Sequence, residues 1–288
     1  MIAVYLYPAA VAVAALLLAS AVHRSLPPRA AALTLTGTLV VAAAATVWSL
    51  AMLGLDFLVD RTRWCRDLLR GHVHVPTSMG VAALAIVSWG TVAAVKTAHG
   101  HWRATRTPAP DGDLLVLDTT SLLAYAVPGR HPHVVVSEGM LDLLDADERN
   151  AMLAHEFAHL RHHHHRFLAL SELAASFVPP LRFVARRVRF ATERWADQDA
   201  AREVGDPTIV ARAIARAALE QGPSTRRALA LSDTDVTARV EDLMSNQLPG
   251  RLAGPVPTAI FALVVLSGTA SAIQLHHVID FVRTFCVP

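Results

Sequence analysis

The sequence predicts an α+β protein, mainly helical, with a polar domain inserted between the third and fourth of four membrane-spanning helices. Three observations carry that reading. Of 288 residues, 53% are hydrophobic and only 17% charged, with a mean hydropathy of +0.38; an ordinary soluble domain carries about 25% charged residues. Four stretches stay uncharged over the length a bilayer demands, about 20 residues at 1.5 Å each. They are Ile2 to Val22, Ala30 to Leu55, Val75 to Val95 and Val256 to Leu275. Between the last two, Lys96 to Arg251 has ordinary polarity and enough length for a core of its own. The chain thus divides into a three-helix membrane part (1–95), one polar domain (96–251), and a fourth span with a short tail (252–288).

Composition excludes several classes. Glycine (14) and proline (16) are too few for a collagenous or low-complexity chain, and two cysteines make no disulfide scaffold. A net charge of +2 leaves no basic footprint for direct nucleic-acid binding. The first span resembles a signal peptide at Ala19-Ser20-Ala21, but Met1-Ile2-Ala3 lacks the basic start such a peptide needs. Flanking charge does not orient the chain. Arg24, Arg29, Lys96, Arg103, Arg106 and Arg251 fall on the domain's side, and Arg61, Arg63, Arg66, Arg70 and Arg283 on the other. Cys65 and Cys286 share the face opposite the domain, as separate thiols or, if that face is oxidising, as a disulfide.

Within the domain, Leu114 to Asp118, Ala124 to Val127 and His133 to Ser137 are short aliphatic runs bounded by turn residues, and read as strands. Pro108 to Gly112 reads as a linker from the membrane part. Asp145 with Glu148 forms an acidic capping box, opening a helix from Ala146 to about His164, since no glycine or proline stops it sooner. Phe167 to Val178 is apolar but too short to span, and reads as a core helix rather than one lying on the membrane. A long arginine-rich helix follows from Leu181 to about Val204. Asp206-Pro207, an N-cap before a first-turn proline, opens another to Gln221, and a last runs from about Asp233 to Asn246.

The first long helix carries His155-Glu156-Phe157-Ala158-His159. Histidines at i and i+4 share one helical face, so both imidazoles can reach a single Zn2+, while Glu156 is offset towards a water beside the metal. A catalytic zinc needs a third protein ligand and an open fourth position. His165 has the spacing of a third histidine ligand, but His162 stands where that pattern has a helix-breaking glycine, and an unbroken helix carries His165 past the metal. Glu193 is preferred. It shares a face with Asp197 at i+4, and Asp197 can accept the free ring N–H of a ligating histidine. The run His162 to His165 reads as a polar helix end, with cations favoured at a C-terminus. Tyr125, His131, His133 and Arg239 are all available as oxyanion donors, and no spacing selects among them.

These residues carry a resemblance. His155-Glu156-x-x-His159 followed by Glu193-x-x-Ala196-Asp197 resembles the glutamate-ligand zinc metallopeptidases embedded in membranes. These include the heat-shock-type membrane protease, the prenyl-protein (CAAX) protease and the protease module of β-lactam-sensing (BlaR/MecR-type) antirepressors. Ala124-Tyr-Ala-Val-Pro128-Gly129 and His133-Val-Val-Val136-Ser-Glu-Gly-Met-Leu141 resemble the stretch these enzymes carry before the metal helix. Three spans before the domain and one after is most similar to the antirepressor branch.

The resemblance implies a gluzincin-like metalloprotease domain facing the cytoplasm, with Val134, Val135 and Val136 as an edge strand that pairs with extended substrate. It also implies a protein substrate: a winged-helix repressor or the chain itself. Only Asp280 to Pro288 follow the fourth span, so no penicillin-binding domain is expected, and the signal would come from elsewhere, for instance a separate sensor subunit. The lipid bilayer is the other partner; a homodimer is left open.

Overall fold

The computed structural model describes residues 2–61, 76–104, 112–220, 233–245 and 255–285. Cys65, Cys286 and most of the 108–112 linker lie outside the described residues. Helices α1 (Ile2–Val22) and α2 (Pro28–Arg61) form a hairpin through a single 3-10 turn, His23–Ser25; α3 (Thr77–Ala104) and a C-terminal helix (Pro255–Phe285) complete the apolar set. The candidate spans are Tyr5–Ser25, Pro28–Leu58, Thr77–Trp102 and Thr258–His276. Small residues let these helices approach closely, as membrane packing favours. A Cβ on Gly54 would lie 2.7 Å from Leu84 Cδ2, and one on Gly80 2.2 Å from Phe57 Cγ. Polar contacts tie the C-terminal helix in: Trp48 Nε1 donates to Gln274 Oε1 (3.1 Å) and Ser267 Oγ to the Pro8 carbonyl (2.9 Å).

The domain begins with three strands, β1 (Leu114–Leu117), β2 (Ala124–Val127) and β3 (His133–Ser137). Their spatial order is β1-β3-β2, with β3 parallel to β1 and antiparallel to β2. This corrects one expectation. Val134, Val135 and Val136 are on the central strand, paired on both sides and fully buried, so they cannot present an edge to a substrate. The run His133–Ser137 has no polar alternation because both faces are covered. The edge near the motif helix is β2.

Ser137 ends β3 and caps the short helix α4 (Glu138–Leu143), its Oγ accepting from Met140 N–H (3.2 Å). Gly139 is required there: a Cβ would lie 2.4 Å from the Thr120 carbonyl oxygen and 2.6 Å from its carbon. Helix α5 (Ala146–Arg161) opens with the expected capping box, Glu148 N–H on Asp145 Oδ1 (2.9 Å) and Asp145 N–H on Glu148 Oε2 (3.1 Å). The Glu148 carboxylate is fully buried and meets Arg216 Nη1 at 3.0 Å.

Helix α5 does not run on to His164. It stops at Arg161, and His163 takes a left-handed conformation (φ +53°), unique among the described non-glycine residues. Such a conformation costs an ordinary residue about 1–2 kcal/mol. A new helix, α6 (His164–Phe177), starts at once in another direction. It packs between the spans α2 and α3 and the next long helix. A Cβ on Gly90 of α3 would lie 2.9 Å from Phe177 Cδ1.

After a 3-10 turn, Pro179–Leu181, helix α7 (Arg182–Val204) closes on Gly205 (φ +82°), whose N–H caps the Ala201 carbonyl. Leu181, Val184, Val188, Ala191 and Trp195 share one core with Leu16, Ala19, Leu35 and Leu39 of the α1–α2 hairpin. The domain's longest helix is therefore seated on the membrane part. Helices α8 (Pro207–Glu220) and α9 (Asp233–Met244) pack on each other and on α7, and the C-terminal helix is α10. Asp206 caps α8, accepting from Thr208 N–H (2.8 Å).

Gly139→Ala should lower domain stability by about 1–3 kcal/mol, because the atoms in its way are backbone. Gly37→Ala, in a helix with open space around it, should not. Thermal unfolding of the two variants in detergent makes the comparison.

Candidate metal centre

Four helices converge on one point. The motif face of α5 turns His155 and His159 towards α7, where Glu193 projects from the facing turn. His155 Nε2 and His159 Nε2 are 3.1 Å apart, and Glu193 lies 3.5 Å from the first and 3.6 Å from the second through its two oxygens. One ligand atom from each of the three falls within 4.8 Å of the others. Two imidazoles and one carboxylate, all turned to one point, form the donor set that suits zinc and leave a fourth position open. The residues fit the group.

Behind each donor stands a partner. His155 Nδ1 lies 2.9 Å from Asp197 Oδ1. Asp197 is gripped by Arg239 of α9, Nε on Oδ2 and Nη2 on Oδ1, both at 2.7 Å. The same guanidinium puts Nη1 3.1 Å from Glu193 Oε2. His159 Nδ1 is 3.0 Å from His164 Nδ1 at the start of α6.

Charge follows from this geometry. Burial by itself would raise Glu193 and Asp197, yet the Arg239 charge outweighs it and holds both carboxyls below their ordinary range, Glu193 well below. Burial would lower His155, but Asp197 and Glu193 prevail and push it up to about 10. Burial lowers His159 to about 4 and His164 to about 3, the latter helped by the neighbouring His159 and His162. Glu156 is pushed up, chiefly by burial.

A cleft of about 360 Å³ opens over the centre, bounded by β2 (Ala124, Tyr125, Ala126) on one side and by Leu168 and Arg189 on the other. Glu156 lines it and accepts a hydrogen bond from the Ala126 N–H. That N–H points out of the sheet, which makes β2 the strand whose edge faces the cleft.

Of the residues expected from sequence, His155, Glu156, His159 and Glu193 meet in this cleft, and Asp197 stands behind His155. Val134, Val135 and Val136 do not line it. Among the oxyanion candidates, Tyr125 does, His131 and His133 do not, and Arg239 is committed to Asp197 and Glu193. Arg194, on the same helix as the two acids, pairs with Asp242 instead. His162 to His165 are not a solvated helix end. His162 pairs with Asp199 and stacks on Trp195, His164 is fully buried, and His165 lines the cleft. The missing signal was the break at His163, since a histidine in a left-handed turn has no sequence signature.

Residues 97–227 match the model of Peptidase family M48, a stretch that holds the sheet, α5 and α7 but covers less than half of the chain. Arg239 lies beyond it. A protein described as "Protease HtpX homolog", from Desulforapulum autotrophicum, is 27% identical over 179 residues, which is 56% of this chain and 57% of that relative. The chain thus spans little more than half the length of the curated relative it matches. Fold, site and similarity agree on the class: a metalloprotease-type domain in a mainly helical chain with several helices long and apolar enough to cross a membrane.

Arg239→Met should cost about 3–5 kcal/mol near neutral pH, because the buried Asp197 and the half-buried Glu193 lose their counter-charge. Both folded-state carboxyls titrate below their unfolded values of 3.8 and 4.5. The stabilisation is therefore complete above about pH 4.5 and fades as pH falls through the lowered values. Denaturant unfolding of metal-free protein at pH 7 and pH 3.5 should show the variant's deficit shrinking in acid.

Proposed function

We propose that the chain is a membrane-bound zinc endopeptidase acting in regulatory proteolysis, with a transcriptional repressor or the chain itself as substrate and its protease domain on the cytoplasmic side. The observation that carries the peptidase reading is the convergence of His155, His159 and Glu193 beside Glu156 in one open cleft. His155, His159 and Glu193 would hold the zinc. When bound, zinc supplies the Lewis acidity that makes water nucleophilic near neutral pH and polarises a peptide carbonyl.

Glu156 is the general base in this reading. Its raised pKa and its position at the cleft wall suit a carboxylate that takes a proton from water and returns it to the leaving amine. Asp197, itself anchored by Arg239, orients His155. The Ala126 N–H is held by Glu156, and the remaining outward main-chain groups of Ala124 to Ala126 are what β2 offers to an extended peptide, so strand addition would use β2 rather than β3. Tyr125, His165 and Arg189 are the side chains lining the cleft that can donate to a carbonyl oxygen.

The repressor reading rests on the layout of spans around the domain. Quality-control or prenyl-protein cleavage on the same chemistry is the second enzymatic reading, and a non-catalytic zinc-binding signalling subunit is the reading from another class. A silent subunit has no use for Glu156 in an open cleft.

Glu156→Ala keeps every metal donor, so it should bind zinc as the native chain does while peptidase activity falls by about 10²–10⁴-fold. Comparing new protein N-termini in native and Glu156→Ala cells then separates the readings. Loss of one cleaved DNA-binding regulator, or of self-cleavage, supports regulatory proteolysis. Loss of many membrane-protein fragments supports quality control, and Glu156-independent cleavage with bound zinc would overturn the catalytic assignment.

A further inference from the structure

Of the four-histidine run after the motif only His165 enters the mechanism above, yet the run also holds the most tightly buried imidazole in the domain. His164 has no exposed surface. Its ring is walled by Trp195 (centroids 4.8 Å apart), by His162 (5.7 Å, stacked) and by Phe167 (6.4 Å, edge-on). His162 in turn stacks on Trp195 at 4.5 Å and is paired with Asp199. This packing fixes the plane of the ring, and the contact with His159 sets which edge faces it, with Nδ1 3.0 Å from His159 Nδ1.

The tautomers follow from the donor geometry. His159 turns Nε2 towards His155 and Glu193, so a metal would take that nitrogen and the ring proton must sit on Nδ1. That N–H has His164 Nδ1 in front of it. His164 must then be the acceptor, with its own proton on Nε2. Among the described residues Nε2 of His164 is buried with no hydrogen-bond partner. A buried donor left unpaired is costly, and so is the left-handed His163 that swings the chain back under His159. Both costs serve one result, which is an acceptor directly behind the second histidine of the motif.

We infer that His164 is a positioning residue for the metal centre. It accepts the Nδ1 proton of His159, fixes that ring with Nε2 towards the metal, and does for His159 what Asp197 does for His155. The two imidazoles are thus oriented by different means, one by a carboxylate locked to Arg239 and one by a neutral imidazole locked between aromatic rings. Outer partners of this kind typically tune metal affinity by 10–100-fold. The inference rests on the reading of His155, His159 and Glu193 as zinc ligands.

The test is zinc affinity of the full-length chain in detergent, measured by chelator competition, with the visible spectrum of the Co2+-substituted protein as a second readout. His164→Asn places an acceptor oxygen where Nδ1 was; His164→Gln reaches only the Nε2 position, and His164→Leu has no acceptor. Zinc affinity should fall about 10–100-fold in the Leu and Gln variants, with a shifted Co2+ spectrum, and by no more than about threefold in Asn. If His164→Leu fails to fold, the Asn–Gln contrast decides alone. Equal zinc affinity in all folded variants, or equal loss in Asn and Gln, overturns the positioning role. A native chain that binds no zinc overturns the metallopeptidase reading as well, which keeps the two failures distinguishable.

Discussion

The ion cluster that Arg239 and Glu193 form around the buried Asp197 is the interaction on which the rest of the domain depends. It joins α9 to α7, and through the Asp197–His155 contact it reaches α5. Two carboxylates on one turn of a buried helix repel each other and are poorly solvated, so neither could stay ionised without a cation held in place. A single guanidinium serves both because its planar fork presents donors in two directions at once. The cost of desolvating three charges is offset only while all of them are held in register. Packing of α8 and α9 on α7 therefore matters to the metal centre, although neither helix carries a motif residue.

A second constraint is the seating of α7 on the membrane hairpin. Its apolar face shares a core with α1 and α2 through Val184, Val188 and Trp195, and Arg187 Nη1 donates to the Ser20 carbonyl at 2.8 Å. The opposite face of the same helix carries Glu193 and Asp197. Trp195 faces the histidine cluster as well as the hairpin core. One rigid element thus sets the distance between the metal centre and the spans. Any displacement of the hairpin would reach Glu193 through about one helical turn.

Much of the architecture was legible because its causes are local. The spans follow from uncharged length, the start of α5 from the Asp145–Glu148 box, and α8 from Asp206-Pro207. The His155–His159 spacing fixes a shared face, and Glu193 with Asp197 another. What was not legible depends on non-local pairing or on a strained backbone. Strand order cannot be read from Val134 to Val136, since a continuous apolar run fits a central strand as well as a protected edge. Arg239 lies 42 residues after Asp197 on another helix and carries no pattern. The end of α5 at Arg161 is not legible, because His163 adopts a conformation for which histidine gives no warning, and the contact of His164 with His159 depends on that break.

The metal reading stands on two imidazoles and one carboxylate, on α5 and α7, holding a single zinc. X-ray absorption at the zinc edge of the purified, zinc-loaded chain tests this. That donor set predicts one zinc per chain with nitrogen and oxygen neighbours at about 2.0–2.2 Å, two of them imidazoles, and no sulfur. It also predicts loss of one oxygen neighbour in Glu193→Ala. Sulfur at about 2.3 Å, or a first shell unchanged in Glu193→Ala, would contradict it.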